Sequence, residues 1–516
     1  MSLYGLQRNC LNKMSKDVRF LAAILSVIFS LVVFLNHQPI NPDAIYQYFP
    51  AADVFLKSGF SRFLQSFSDF SRWPFYSILI ALLIKFFHLS FLNAAFVLNT
   101  IFNAITVVAF ITLVQELDSR PAIVKSAAIV ILAFHSFNAF RADIIRGFGY
   151  WAFLFLSLIC FLRFSRTASW RYAVLWAVFM ICGTLFRIEG AFLLCFSPFV
   201  LLFLHNRSFF EKVRLIIKAH ALNIGLIGLL FIWLLMSGPH LIMQLGRFTD
   251  FVQQALQAYQ KMVLSLQQHM QLLLPVYSSE KAFYVLTIGL LGYFVVSIVD
   301  IFTLLYSVLA IHGWVISSRE VKQDDRRILM LITFLSLVPC FIFYLEGYNT
   351  SGRYLMPFCL LFSVWIPFSL VFIYESARRS KTMRWLFGLI VLILFVQAFS
   401  GLFHIFGPSN AYIAETGLWA KYHVPKNARL YTNHRMILFY ANRKPWTKEA
   451  VQNSELDLWQ FEKKWQQYDY YMIRVFKGEI APEDVFLRQE GLVFQKVFKN
   501  RSGNKIFIFK HDAAKK

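Results

Sequence analysis

Apolar runs of spanning or near-spanning length recur along the 516 residues, at about 20–36, 92–114, 122–140, 148–164, 171–187, 190–205, 215–236, 283–317, 328–346, 354–375 and 384–405. About 20 apolar residues in a helix cross the hydrocarbon core of a bilayer. Backbone groups inside lipid must pair within the chain, so runs of this kind can only be helices. The pattern predicts a polytopic α-helical membrane protein with eleven crossings. Composition agrees: 58% of residues are hydrophobic and mean hydropathy is +0.55, well above a soluble domain. The first run has a basic approach (Arg8, Lys13, Lys16, Arg19) and no small-x-small cleavage pattern after it, so it reads as a retained signal-anchor helix. The run 74–88 is short, opens with Trp73-Pro74 and carries Lys85 and His88; it is expected to lie flat or re-entrant on the outer side. The run 283–317 exceeds one span and is expected to be a tilted helix with an interfacial lead-in, with Asp300 near a kink.

A net charge of +23 would suit a nucleic-acid partner in a soluble chain, but here its placement decides the matter. With the amino terminus in the cytoplasm, the inner segments hold 21 Lys and Arg and the outer ones before residue 406 hold 11, as the positive-inside rule requires. Counting 74–88 as a crossing would reverse every later loop and put the arginine clusters outside. The outer loop 238–281 is rich in Gln and reads as an amphipathic helix over the surface. Beyond about 406 hydrophobicity drops. Strand-like pieces at 428–432, 468–474, 492–498 and 505–510, with helices at 433–440 and 456–465 and a hairpin signal at 499–504, predict a small α/β domain outside the membrane. The expected division is therefore a membrane module, 1–405, with an outer loop 37–91, and an extracytoplasmic domain, 406–516. Five of the six cysteines lie in apolar runs, which points to neither a disulfide framework nor a cysteine zinc site.

Charged groups at the ends of spans are costly to place and so are candidates for function. In this topology they gather on the outer side: Asp43, Asp53, Asp69 and Arg72; Arg141, Asp143 and Arg146; Arg187 and Glu189; Glu346 and Arg353. A carboxylate within hydrogen-bond reach of a hydroxyl can act as its base, and guanidinium groups bind phosphate and stabilise charge on a leaving group. Each residue also has a purely structural reading. Asp43 could cap the helix that follows it, Asp143 could cap or pair with Arg146, Arg187 and Glu189 could form an ion pair, and Arg353 could snorkel at a span end. His240 and His269 in the Gln-rich loop read as surface residues.

Several short motifs occur in a telling order: Pro42-Asp43-Ala44-Ile45-Tyr46, Arg72-Trp73-Pro74-Phe75-Tyr76, Arg141-Ala142-Asp143, Phe186-Arg187-Ile188-Glu189-Gly190 and Gly352-Arg353-Tyr354-Leu355-Met356-Pro357. This order resembles the polyprenyl-phosphate-sugar-dependent GT-C glycosyltransferases, in particular bacterial relatives of protein O-mannosyltransferases and of the lipid A aminoarabinose transferase. The resemblance covers the membrane region and, more loosely, the C-terminal domain. It implies a GT-C-like fold and an inverting transfer of a hexosyl or pentosyl group to a hydroxyl of a lipid, glycan or protein on the outer face of a bacterial inner membrane. It further implies that Asp43 is the base, that Asp143 orients acceptor or donor, and that Arg72 and Arg353, with Arg187 and Arg146, hold the lipid phosphate. Two departures stand out. No acid directly precedes Pro74, where relatives often have one, although Asp69 lies a few residues earlier. Ala44 follows Asp43 where many relatives have Glu, so a two-carboxylate site for a divalent metal is not expected and no cofactor is assigned. An O-antigen polymerase or ligase would lack the early acid and the terminal domain; a transporter would show repeats and helices broken at mid-membrane.

Overall fold

The computed structural model describes residues 17–37, 41–66, 73–205, 207–237, 257, 260, 264, 282–347, 351–403, 410–455, 467–478 and 492–511. The Gln-rich loop with His240 and His269, the expected helix 456–465, Asp69 and Arg72 lie outside them. Helices dominate: α1 (Val18–His37), a π-helical turn (Ala44–Tyr48) leading into α2 (Phe49–Ser66), α3 (Phe75–Phe87), α4 (Phe91–Leu117), α5 (Pro121–Ala133), α6 (His135–Ala139), α7 (Gly147–Thr167), α8 (Trp170–Phe186), α9 (Glu189–Phe196) and α10 (Phe209–Ser237). They continue with α11 (Ala282–Phe302), α12 (Leu304–Ile316), α13 (Gln323–Leu335), α14 (Leu337–Gly347), α15 (Gly352–Ser363), α16 (Ile366–Ala377), α17 (Lys381–Phe403), α18 (Ala411–His423), α19 (Arg435–Tyr440) and α20 (Lys448–Glu455). Among the described residues five helices are long and apolar enough to cross a membrane, and three bent pairs bring the number to eight. The protein is an integral membrane protein with a small C-terminal sheet.

The bends correct one expectation. The run 283–317 is not a single tilted helix: α11 and α12 meet at 93°, and Asp300 lies just before the break. Thr303 at the corner has φ 66°, a strained setting for a β-branched residue. Its side-chain oxygen accepts from the Gln397 amide at 3.2 Å, and its carbonyl accepts from the Ser307 hydroxyl at 2.9 Å. The run 122–140 bends by 51° between α5 and α6, and 354–375 by 45° between α15 and α16.

Two compact units emerge. The first comprises Met1–Ser30, Asn99–Phe140 and Arg146–Gly401. Its interior is built from large rings on α7 and α8, with Trp151, Trp176 and Tyr150 almost fully buried. At the end of the unit where the sequence places its inner arginines, acids meet them: Glu116 bridges Arg163 and Arg166 at 2.6 and 2.8 Å, and Arg166 reaches Asp325 at 3.0 Å. Asp324 and Asp325 also sit in the first turn of α13, where negative charge complements the helix dipole. Charge placement by sequence thus counted the cations but not the acids that tie α4, α7 and α13 together. α12 and α16 approach so closely that a Cβ on Gly313 would fall 2.0 Å from the Trp365 carbonyl oxygen. Main chain cannot rotate away, so Gly313→Ala is expected to cost about 1–3 kcal/mol, measured as a lowered melting temperature in detergent.

The second unit comprises Leu31–Leu98, Arg141–Ile145 and Leu402–Lys516. Its four-stranded sheet has the order β1-β2-β4-β3, from β1 (Leu430–Thr432), β2 (Tyr470–Val475), β3 (Leu492–Lys499) and β4 (Lys505–His511). β1 pairs parallel to β2, and β2 and β3 pair antiparallel to β4. Tyr431, Tyr471, Ile473, Phe507 and Phe509 form its buried core. The strands and the 499–504 hairpin fall where the strand-like pieces and turn residues predicted them. The same unit brings the segment after α1 against the C-terminal region. Phe49 packs on Phe91 at 5.5 Å and on Phe439 at 5.7 Å, and Trp446 meets Phe91 edge-on at 5.5 Å.

Candidate active site

Asp43 stands in the first turn of a helix entered through Asn41 and Pro42. Pro at the first helical position loses no needed hydrogen bond. The cap comes from Asn41, whose side-chain oxygen accepts the Ala44 amide at 3.2 Å; Asp43 makes no side-chain capping bond. The capping reading offered by sequence for Asp43 is thus taken by Asn41. The next five residues are π-helical, with the Phe49 amide donating to the Ala44 carbonyl. Pro50 explains the widening: it has no N–H for the Tyr46 carbonyl, and its ring crowds that carbonyl in an α-helix. Single π-turns of this kind recur at functional sites.

Further along, Asp53 pairs with Lys57 and accepts the Trp446 indole N–H at 3.0 Å. Asp53 is thus a fastening point between the segment after α1 and the C-terminal region. Arg141, buried in a 3₁₀ turn (Phe140–Ala142), and the half-buried Asp143 in the bend after it belong to the same unit as Asp43. One functional candidate was not singled out from sequence. Arg435, at the start of α19, lies with its guanidinium 3.8 Å over the ring of Tyr46. The only sequence signal was a cation in the expected helix 433–440, which is too common to select it.

The first unit holds the other candidates. Arg187 and Glu189 form a buried ion pair at 2.5 Å, with side chains 4% and 9% exposed, so of the two readings offered by sequence the paired one describes the observed geometry. Gly190 permits it: a Cβ there would lie 2.8 Å from the Thr184 amide nitrogen, so the chain can turn tightly from α8 into α9. Arg187 also lies 4.4 Å over the ring of Tyr354, and Arg353 lies 5.5 Å from the same ring centre. The structure thus brings Arg187 and Arg353 together around Tyr354. Arg146 precedes α7, and one terminal guanidinium nitrogen is buried with no hydrogen-bond partner among the described residues. The backbone of Glu346 lies in the last turn of α14, while Arg72 is outside the described residues. No group of three or more His, Cys, Asp or Glu side chains suited to hold a metal ion occurs among the described residues.

His434, just before Arg435, is buried, and burial first and the Arg474 charge second push its pKa down to about 3. An unfolded His titrates near 6.5. Folded His434 therefore stays neutral while the unfolded chain takes up a proton, and stability falls as pH drops through 6.5 toward 3. The melting temperature of the wild type is expected to fall between pH 7.5 and 5 more steeply than that of His434→Asn, followed by intrinsic fluorescence in detergent.

No family model and no curated protein matches the chain. Solved structures similar to the chain at low identity include the following. The archaeal oligosaccharyltransferase AglB from Archaeoglobus fulgidus, in complex with an inhibitory peptide and a dolichol-phosphate, is 12% identical over 89% of this chain and 69% of its own, with a TM-score of 0.49. ArnT from Cupriavidus metallidurans aligns over 94% of this chain and 97% of its own: in the apo state at 9% identity and a TM-score of 0.49, and bound to undecaprenyl phosphate at 10% and 0.48. The functional reading below is carried by the residues of this chain.

Proposed function

We propose that this protein is an inverting glycosyltransferase that moves a sugar from a polyprenyl-phosphate carrier to a hydroxyl of a lipid, glycan or protein on the outer face of the membrane. Asp43 takes the acceptor proton as its oxygen attacks the anomeric carbon. The bond from that carbon to the phosphate oxygen breaks, and the phosphate departs with the electron pair. A phosphate is stable as an anion, so no general acid is needed and one carboxylate suffices. Asp143 orients acceptor or donor. Arg353 and Arg146 bind the phosphate and stabilise its growing charge, with Arg72 as a further ligand.

The observation that carries this reading is Arg146. A buried guanidinium nitrogen without a partner among the described residues is costly, and an anionic ligand would satisfy it. Arg187 is assigned a smaller part, since Glu189 already neutralises it. In liposomes containing the purified protein and radiolabelled polyprenyl-phosphate sugars, with cell-envelope extract as acceptor, Arg146→Ala and Arg353→Ala are each expected to weaken donor binding about 10- to 100-fold, the worth of a hydrogen bond to a charged group. Unchanged donor KM in both variants would remove the phosphate assignment.

A second reading, a transporter, is favoured by the three bent helix pairs, since broken helices line many transport sites. The same liposomes separate the two. Transfer leaves the label covalently on the acceptor, whereas transport carries it unaltered across the sealed membrane.

A further inference from the structure

Asp43 sits on a turn that is weak by construction. The π-helical segment Ala44–Tyr48 has wider, rarer geometry than an α-helix and needs outside support to persist. Two points of support come from the C-terminal part of the same unit. Trp446 holds Asp53 through its indole N–H at 3.0 Å, beyond the turn. Arg435 lies 3.8 Å over the ring of Tyr46, within the turn and three residues after Asp43.

The loop that carries Arg435 is itself firmly built. It leaves β1, which runs parallel to β2. The Asn433 amide donates to the Arg474 carbonyl at 2.9 Å and its side-chain oxygen accepts the Arg474 amide at 2.8 Å. One side chain thus continues the ladder of β1 beyond its last residue. The Thr432 hydroxyl oxygen accepts the His434 amide at 3.1 Å, and the Arg474 guanidinium donates to the Tyr412 hydroxyl at 2.8 Å. A loop fixed in this way sets the backbone from which the Arg435 guanidinium reaches the Tyr46 ring, a cation–π pair.

We infer that Arg435 is a positioning residue for Asp43: the loop after β1 holds, through Tyr46, the π-turn that sets where the Asp43 carboxylate points. The inference rests on the glycosyl-transfer reading above. Its consequence is that the C-terminal α/β region acts in the chemical step without touching substrate, since a displacement of about 1 Å at a catalytic group can cost on the order of 10²-fold in rate.

The test uses the full-length protein in lipid nanodiscs, as wild type, Arg435→Gln, Arg435→Lys, Tyr46→Leu and the Arg435→Gln/Tyr46→Leu double variant. Hydrogen exchange is read on a peptide covering residues 41–50, and transfer is read with radiolabelled polyprenyl-phosphate sugars. Arg435→Gln and Tyr46→Leu are each expected to speed exchange of the amides of residues 44–49 about tenfold, as local opening becomes easier, with the double variant no faster than either alone. Both are expected to lower kcat by about 10²-fold with donor KM within about twofold of wild type, and Arg435→Lys should recover most of both effects. Unchanged exchange in Arg435→Gln overturns the inference, as does a raised donor KM at unchanged kcat, which would make Arg435 a donor ligand. Wild-type protein that transfers no label, while exchange couples as expected, overturns the glycosyl-transfer reading alone.

Discussion

Asp43→Asn is expected to lower sugar transfer by about 10²- to 10⁴-fold, the usual share of a general base, while donor binding and melting temperature stay at their wild-type values. The substitution keeps shape and removes the negative charge with the proton acceptor. Stability is expected to hold because the helix cap is provided by Asn41, which accepts the Ala44 amide. The contrast with Asn41→Ala makes the result interpretable. Losing that cap is expected to cost about 1 kcal/mol and to show in the melting curve, with Asp43 retained. Transfer at the wild-type rate by Asp43→Asn, assayed in membranes supplied with labelled polyprenyl-phosphate sugar, would remove the base assignment.

The largest expected loss of stability lies at the Arg187–Glu189 pair. Arg187→Ala leaves a carboxylate buried without its cation, and breaking such a pair typically costs about 3–5 kcal/mol. It also strips the guanidinium from the face of Tyr354. Replacing both members, Arg187→Met with Glu189→Leu, is expected to recover most of the melting temperature, since apolar side chains of similar volume can fill the site without the desolvation penalty. The double variant also decides what Arg187 does beyond folding. Donor KM near the wild-type value in that stable protein would confine Arg187 to an architectural role, whereas a rise of tenfold or more would return it to the phosphate-binding set.

Much of the fold is legible in the chain. Apolar runs mark the helices because lipid gives backbone groups no other partner. Short runs rich in aromatic and β-branched residues between 428 and 510, with turn residues at 499–504, mark the four strands because such side chains favour extended backbone. The corner at Thr303 was less legible. A long apolar run looks the same whether straight or bent, and the break depends on hydrogen bonds that Gln397 and Ser307 bring to Thr303.

The candidate site divides in the same way. Asp43, Asp143, Arg146, Arg187 and Arg353 could be picked out because a charge at the end of an apolar run is expensive and therefore visible in a single sequence. Their partners could not. That Asn41 caps the helix in place of Asp43, that Glu189 neutralises Arg187, and that Arg146 keeps a buried nitrogen unmatched among the described residues are facts of distance. Arg435 is the extreme case: 389 residues separate it from Tyr46, and only the packing of the C-terminal region against the segment after α1 brings them into contact.

By itself, then, the sequence determined a many-helix membrane protein with a terminal α/β sheet and the residue types available for chemistry, because hydropathy, charge and period are local properties of the chain. The tertiary structure alone decided which of those charges are spent on one another, because pairing depends on which distant segments are packed side by side.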